Sequence, residues 1–540
     1  MSEDYLNKNS GALAQEQGIW GSTGVSSLRG AILPVHAREP FVADRKDGIF
    51  ALVVFILGFY FARWVLSSWQ GWGVTVFTLG YTCAVTIYLL KKGIHFTRGG
   101  WFWLTVVLLT GISFSLWSNN GLEPWRSMLL FFSAVYWVIL TTGLPILGKT
   151  SNWFLLDNLN GLFVIPFRNF NCQYKGLTFI FSNRKAEGKQ IFSIALGLFL
   201  TLIVGSMVLP LLIEADNGGF SQITKGVLTY FQGIRKEVFK LVFEVILAVP
   251  IAAYLFGLVA GSAHKRGSDT FKKNRVLKAI SALQVLPMAT IYTLLGLLCS
   301  LYVVFIGSQV PYFFSAFVGE RPEGWLVYAE YARNGFFELC RIAAINLSVL
   351  TATNVLSKKL GRGYLPLKIF NSLLALLTLL LIATAFSKMA MYIGVYGLSM
   401  RRLLPCLFMV FLAVICGGVI ALQKWQFSIV RLAVGVGVVM LCILCLLDPD
   451  GFVARYNAER YFSGTLNNFD VAILYRSGPA GVDPALEVYQ KTNDQGLRDE
   501  LKAYLMTQQD LTAQSLGKPA DNLQKAGARQ RIAAQFQSDN

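Results

Sequence analysis

The chain has 540 residues, of which 54% are hydrophobic and only 14% are charged. Soluble domains carry about 25% charged residues, so this composition excludes an ordinary soluble protein and indicates a membrane protein. The net charge of +18 could suggest a nucleic-acid partner, but residues 449–540 hold nearly equal numbers of acidic and basic side chains. The excess positive charge therefore lies among the apolar segments and their loops, which indicates contact with membrane lipids and no nucleic-acid partner.

Apolar stretches long enough to cross a ~30 Å hydrocarbon core recur after a polar N-terminal tail at 1–47. In lipid such stretches must be helical, because a helix satisfies its own backbone hydrogen bonds. The predicted fold is therefore all-α, with a polytopic transmembrane bundle of about eleven spans over 48–448. The spans are predicted near 49–68, 71–90, 100–118, 127–147, 191–213, 239–261, 283–306, 334–356, 369–390, 403–421 and 428–447.

Some connections between these spans are more than simple loops. Residues 151–181 mix aromatic and polar side chains closely, which predicts an interfacial element on the inner face. Residues 216–238 have the pattern of an amphipathic helix, which predicts a helix lying on the outer surface. Residues 387–402 are ambiguous, because they could extend the ninth span or form a re-entrant turn.

The Lys and Arg residues of the loops predict the orientation, since cytoplasmic loops carry the excess of both. The loops on the side of the N-terminus hold most of them, for example Lys265, Arg266, Lys272, Lys273 and Arg275. We therefore predict a cytoplasmic N-terminus. With an odd number of spans, the C-terminus is then extracytoplasmic.

The segment after the last span is predicted to fold outside the membrane. Within 449–515, turn residues introduce short stretches of helical periodicity, which predicts a small helical domain. Residues 516–540 have little apolar surface to bury, which predicts a disordered tail. At interfacial depth, aromatic and basic side chains anchor well. The residues predicted to dock the domain onto the outer ends of the bundle are therefore Arg455, Tyr456, Asn457 and Arg460.

Ionisable side chains inside predicted spans are the candidates for function, because each costs ~2.5–3.5 kcal/mol on insertion scales. Arg63 and Lys388 lie near the ends of outward-running spans. Glu244, Glu338 and Arg341 lie near the starts of spans that enter from outside. The predicted topology therefore places all five in the outer half of the membrane.

Glu338 and Arg341 are the sharpest candidates, because they lie three residues apart on one helical face with Asn346 at its border. One interpretation is a structural ion pair, and the other is a hydrated pocket that opens outward. At ~1.5 Å rise per residue they lie about 6 and 10 Å below the start of the span, so we predict that this face points into the bundle. The predicted polar pocket contains Glu338, Arg341, Glu244, Lys388, Asn346 and Arg63.

Cofactor and metal sites have no sequence signal. Cys442 and Cys445 have CxxC spacing, but they lie within an apolar span and have no second ligand pair. His36, His95 and His264 fall in separate segments, which favours surface solvation. The sequence lacks the phosphate-binding loop, the nucleophile elbow and the zinc-protease motif. We therefore predict no cofactor and no metal, and assign no catalytic residue.

Two motifs resemble a known family. YARNGFFELCRIAAINLS (Tyr331 to Ser348) opens the eighth predicted span, and ARYNAERY (Ala454 to Tyr461) follows the eleventh. Together with FDVAILYRSGPAGVDPAL in the C-terminal domain, they resemble a bacterial membrane family known only as domain of unknown function 4153/4173. The resemblance implies a multi-pass protein of the bacterial cytoplasmic (inner) membrane, and it implies no known activity.

Three functions are compatible with these patterns. The first is transport or flipping of a solute or amphiphile through the outward-facing pocket, suggested by the shared depth of the ionisable residues. The second is a sensory or scaffolding role, in which the C-terminal domain binds an envelope protein partner. The third is an enzyme acting on a lipid-linked substrate. Polytopic lipid-linked glycosyltransferases typically need an acidic residue in the first outer loop, and here that loop, Ser67 to Gly73, has none.

Overall fold

The computed structural model describes residues 41–182, 197, 201, 204, 208, 219–267, 278, 281, 282, 284–318, 328–356, 364–466 and 468–538. Ten helices in these ranges are long and apolar enough to cross a membrane. The protein is therefore a multi-pass membrane protein built as a helical bundle, as predicted. The predicted fifth span, 191–213, lies outside the described residues except at isolated positions.

The first four spans form two consecutive hairpins. Asp44 and Asp47 cap the first span reciprocally, because each carboxylate accepts the other residue's backbone N–H. Thr97 caps the third span by accepting the Gly100 N–H. The helices are α1 (Arg45–Val65), α2 (Gly71–Lys91), α3 (Arg98–Leu116) and α4 (Glu123–Thr141).

The segment after α4 stays at the end of the bundle where α1 begins. Gln173 donates to the Ala51 carbonyl of α1, and Ile180 contacts Gly48. A π-helical turn at Asn160–Val164 interrupts the segment. Residues predicted as an interfacial element thus form α5 (Phe154–Leu159), α6 (Ile165–Arg168) and α7 (Cys172–Ser182).

The next helix, α8 (Gly219–Ala263), is longer than any predicted span. Its residues 219–238 continue directly into the membrane helix, so the prediction of a separate surface helix at 216–238 is wrong for them. Amphipathic periodicity alone does not show where a helix breaks. α8 packs closely on α1, where a Cβ at Gly58 would come within 2.8 Å of the Ala248 carbonyl oxygen.

The remaining spans surround an apolar core that includes Leu295, Phe336, Leu374 and Met409. The ambiguous stretch 387–402 extends the ninth predicted span to Tyr396, and a tight turn follows. Gly397 makes this turn with a positive φ of 73°, which favours glycine. The helices are α9 (Met288–Val318), α10 (Tyr328–Leu356), α11 (Tyr364–Tyr396), α12 (Met400–Leu422) and α13 (Ile429–Leu446).

The C-terminal domain is helical and has a core of its own. Leu474, Val488, Leu501 and Tyr504 are fully buried at its centre. Tyr504 donates its hydroxyl hydrogen to the Gly478 carbonyl at 2.6 Å. The helices are α14 (Pro449–Phe462), α15 (Val471–Ser477), α16 (Val482–Lys491), α17 (Gln495–Ala513) and α18 (Leu523–Ser538).

The prediction of a disordered tail at 516–540 is wrong, because α18 occupies most of it. Ala528 and Ile532 are fully buried in the domain core, and Phe536 packs beside them. These residues are spaced four apart and therefore share one helical face. The rest of the domain offers a groove that fits this one apolar face.

The bundle has two distinct ends. The C-terminal domain contacts the α1–α2, α3–α4 and α11–α12 turns, for example through the Gly73 N–H and the Pro519 carbonyl. We call this the domain end. Arg45, which begins α1, lies at the opposite end. Ile180 also lies at the opposite end, whereas Glu244 lies at the domain end.

Candidate functional site

The structure does not join the six residues of the predicted pocket. Arg63 and Glu244 form one isolated pair, with Nη1 and Oε2 2.9 Å apart. Glu244 is buried, and the Arg63 guanidinium also lies over the Trp64 ring. This ion pair joins α1 to α8 near the domain end. It explains how a carboxylate is tolerated at that depth without a pocket.

Asn346 is fully buried in a different part of the bundle. It accepts the Tyr302 hydroxyl hydrogen at 2.6 Å and donates to the Thr378 hydroxyl at 2.9 Å. Thr378 in turn donates to the Leu374 carbonyl. This chain of hydrogen bonds links α9, α10 and α11 inside an apolar core. Asn346 therefore aligns three helices.

Glu338 and Arg341 lie on the exposed face of α10. The prediction that this face points into the bundle is wrong. Phe336, Leu339 and Ala343 fill the apolar core instead, and their packing decides how the helix is rotated. Lys388 is close enough to Glu338 for electrostatic attraction. The predicted single pocket is thus replaced by an ion pair, a core network and an exposed face.

The predicted docking motif does join the domain to the bundle. Asn457 is buried and pairs with the Leu398 backbone twice, accepting its N–H at 2.7 Å and donating to its carbonyl at 2.8 Å. Arg460 donates to the Ile393 and Gly394 carbonyls at the end of α11. Its positive charge suits this helix terminus, where carbonyls lack partners.

The other two motif residues act differently. Tyr456 packs against the cluster of Leu398, Val453 and Ile473. Arg455 is exposed and reaches Asp448 and Asp483 only electrostatically. The second half of α14 thus holds the α11–α12 turn mainly through Asn457 and Arg460. We call the contacts of the domain with the α3–α4 and α11–α12 turns the joint. The contact with the α11–α12 turn is one half of it.

Arg126 organises the other half of the joint, and sequence reasoning missed it. Its side chain is fully buried and lies over the Phe114 ring at 3.9 Å. The guanidinium donates to the Trp117 carbonyl at 2.9 Å and to the Ser118 carbonyl at 3.0 Å. It thereby caps the C-terminal end of α3. A position three residues into α4 resembled an ordinary loop charge, and the sequence held no signal of its burial.

The α3–α4 turn is also bonded to both ends of the C-terminal domain. Asp448 accepts from the Gln524 side chain at 3.0 Å, and the Gln524 side-chain oxygen accepts the Ser118 N–H at 2.9 Å. Asn522 donates to the Ser118 hydroxyl. The chain segments before α14 and at the start of α18 therefore meet at one turn of the bundle.

A cavity of about 650 Å³ opens beside this joint. Its walls come from α10, the start of α12, the α3–α4 turn and two helices of the domain. Arg401 and Arg476 are exposed along it, whereas Asp450 is buried. The apolar residues that line it are Phe337, Met400, Leu404, Pro405, Val453 and Ile473.

Asp450 gives this cavity a group that titrates near neutral pH. Burial raises the pKa of its carboxyl to about 6, although the Gly121 N–H donates to it and the Arg126 charge attracts its ionised form. Below that pH the two arginines are the only charges among the residues that line the cavity. The cavity thus combines apolar walls with a positive rim, a combination that suits an amphiphilic anion.

A second polar cluster lies at the opposite end. The fully buried Asp47 carboxylate accepts the Tyr88 hydroxyl hydrogen at 2.6 Å and lies 2.8 Å from the Lys92 ammonium nitrogen. His264 is exposed, as predicted for a solvated histidine, and its Nε2 also lies 3.2 Å from the Asp47 carboxylate. The cluster ties α1, α2 and α8 together. No group of three metal-ligating side chains occurs within the described ranges.

Comparison with known proteins identifies the family only. No curated protein and no solved structure matches the chain. The family described as a domain of unknown function, DUF4153, matches residues 104–488, which is more than half of the chain. The match contains both motifs on which the resemblance rested, and it extends from α3 to α16. The chain therefore belongs to the DUF4153 family.

Proposed function

We propose that this DUF4153 protein binds an amphiphile with an anionic head group in the cavity beside the joint. The observation that supports the proposal is the placement of Arg401 and Arg476 along a cavity with apolar walls. Ligand pockets typically enclose about 300–1,000 Å³. A cavity of about 650 Å³ therefore has room for a head group and the first part of an acyl chain.

The two kinds of wall would hold the two parts of such a ligand. Guanidinium groups form charge-assisted, often bidentate hydrogen bonds with phosphate and carboxylate oxygens. Phe337, Leu404 and Pro405 would contact the acyl chain, since they line the cavity on the side of the spans. This proposal takes the amphiphile from the first predicted function. Movement of the ligand across the membrane, partner binding and chemistry on a lipid-linked substrate stay predictions.

We further propose that the protein lies in the bacterial cytoplasmic membrane with its N-terminus inside and its C-terminal domain outside. Supporting this, Arg45 and the domain lie at opposite ends of the bundle. Lys91, Lys92, Lys265 and Arg266 lie at the end of Arg45, and cytoplasmic ends carry such an excess of positive charge. A reporter that works only outside the cytoplasm, fused after Asn540, should be active. Activity of a cytoplasmic reporter at that position would contradict the orientation.

Binding is tested with the purified full chain in detergent and a short-chain phosphatidylglycerol. The matched probe is phosphatidylcholine of the same chain length, whose head group has no net charge. We expect tighter binding of the anionic lipid. The variants Arg401→Gln and Arg476→Gln should each weaken it roughly tenfold, because ~1.4 kcal/mol is the scale of one charge-assisted hydrogen bond.

The control variant is Arg431→Gln, which removes an exposed arginine at the opposite end. It should bind the anionic lipid as the unmodified chain does. Equal affinity for both lipids, or the same loss in all three variants, would show that the cavity does not recognise an anionic head group.

A further inference from the structure

The exposed face of α10 has an unusual composition for a helix in a membrane. Seven of its exposed side chains recur at alternating intervals of four and three residues, so they form one stripe along the helix. Most of them are polar or small. The stripe consists of Asn334, Glu338, Arg341, Ile345, Ser348, Ala352 and Val355.

The neighbouring helix α9 shows what a lipid-facing stripe in this protein looks like. Four of its exposed residues, Leu294, Leu297, Leu301 and Val304, have the same alternating spacing, and all four are large and apolar. The two stripes therefore differ in chemistry and not in geometry. Lipid explains the α9 stripe, but it does not explain a glutamate and an arginine on α10.

These two charges lie well inside the span. Counted from Arg333, where the span begins, Glu338 is ~7 Å deep and Arg341 ~12 Å deep at ~1.5 Å per residue. Neither forms a salt bridge within the part of the chain that the structure describes. Lys388 attracts Glu338, but it lies on the packed side of the helix, beside Gly335. Among the described residues, no other helix brings an opposite charge to them from the exposed side, and a second copy of the chain would supply one.

We propose that this face of α10 is the interface of a homodimer. All copies of a membrane protein have the same orientation, so a two-fold axis along the membrane normal pairs the two α10 helices in parallel. Glu338 then meets Arg341 of the partner subunit, and the reverse contact forms by symmetry. The two residues differ in depth by only ~4.5 Å, which their side chains bridge.

The lower part of the stripe suits such a pairing. Ser348 and Ala352 are four residues apart, and small residues at this spacing let two membrane helices approach closely. The stripe thus contains complementary charges near the domain end and small residues in the half of the span nearer the opposite end. A second copy supplies both features at the correct depth. The proposal concerns a different surface from the cavity beside the joint and does not depend on it.

The first experiment tests proximity in native membranes by oxidative cross-linking. In a Cys83→Ser background, which removes the exposed cysteine, Ser348→Cys and Ala352→Cys are each introduced. The matched control is Leu297→Cys on the stripe of α9, at a similar depth. We expect a disulfide-linked dimer from at least one α10 variant and none from the control or the background. Absence of a dimer from both α10 variants would overturn the proposal.

The second experiment tests the ion pairs through co-expression of two differently tagged chains. Glu338→Arg gives one chain two positive charges, and Arg341→Glu gives the other two negative charges. Each variant alone should lose self-association by charge repulsion, whereas the two together should co-purify as a mixed dimer. The double variant Glu338→Arg with Arg341→Glu should again associate with itself. If each single variant associates with itself as strongly as the unmodified chain does, the proposed pairing is wrong.

Discussion

The joint and the exposed face of α10 both place polar and charged groups on the half of the protein that carries the C-terminal domain. In the joint, Arg126 and Arg460 each donate to backbone carbonyls, and Asn457 pairs with the Leu398 backbone. On α10, the charges of Glu338 and Arg341 are directed away from the packed core. Similar residues thus serve two purposes. The named side chains of the joint bond to groups of the same chain, and the α10 face offers its charges to a second one.

The largest contrast is expected between two arginines. Arg126→Met leaves the Trp117 and Ser118 carbonyls without their donor inside a buried joint. We expect a loss of about 4 kcal/mol in the free energy of unfolding. The matched change Arg341→Met should leave the free energy of unfolding of the monomer nearly unchanged. Tryptophan fluorescence during unfolding in mixed SDS micelles measures both. If both variants lose the same free energy of unfolding, the joint and the exposed face of α10 do not differ in the way described.

A smaller loss of stability is expected in the C-terminal domain, at the contact of its core with α18. Ile532→Ala removes a fully buried side chain from α18, which should cost about 3 kcal/mol in the stability of the domain. Leu523→Ala, at an exposed position on the same helix, should cost almost nothing. Limited proteolysis across a urea series compares the two. If both variants resist protease equally, α18 does not contribute to the domain core.

The smallest effect concerns the pH dependence of the joint. The folded protein holds the proton of Asp450 more tightly than the unfolded chain does, because burial raises its pKa from 3.8 to about 6. The stabilisation is therefore complete below the unfolded pKa and is lost as the pH rises through about 6. We expect Asp450 to contribute at most about 3 kcal/mol to this decline.

Thermal unfolding of the domain between pH 4 and pH 7 measures this decline. Asp450→Asn should flatten the curve, because the amide does not titrate. An unchanged slope in that variant would assign the pH dependence to another group, such as the neighbouring Asp448, whose pKa burial also raises.

The candidate site was only partly predictable from sequence. The motif of Asn457 and Arg460 was recognisable because polar and aromatic residues directly follow an apolar span. Arg126 was not, since an arginine at a span end has the same appearance whether it is solvated or buried. The cavity was not predictable either. It forms between segments that are far apart along the chain, such as Phe337 and Ile473.

The sequence by itself determined the class of the protein and the position of most spans, because ~20 apolar residues in lipid have helix as their only satisfactory conformation. Tertiary structure decided which way each helix faces. The sequence predicts a buried pocket for Glu244 and Glu338 alike. The packing of α8 on α1 brings Glu244 to Arg63, whereas the packing of α10 into the apolar core turns Glu338 outward. It also decided that α18 folds, since its single apolar face gains stability only in a groove made by residues distant in sequence.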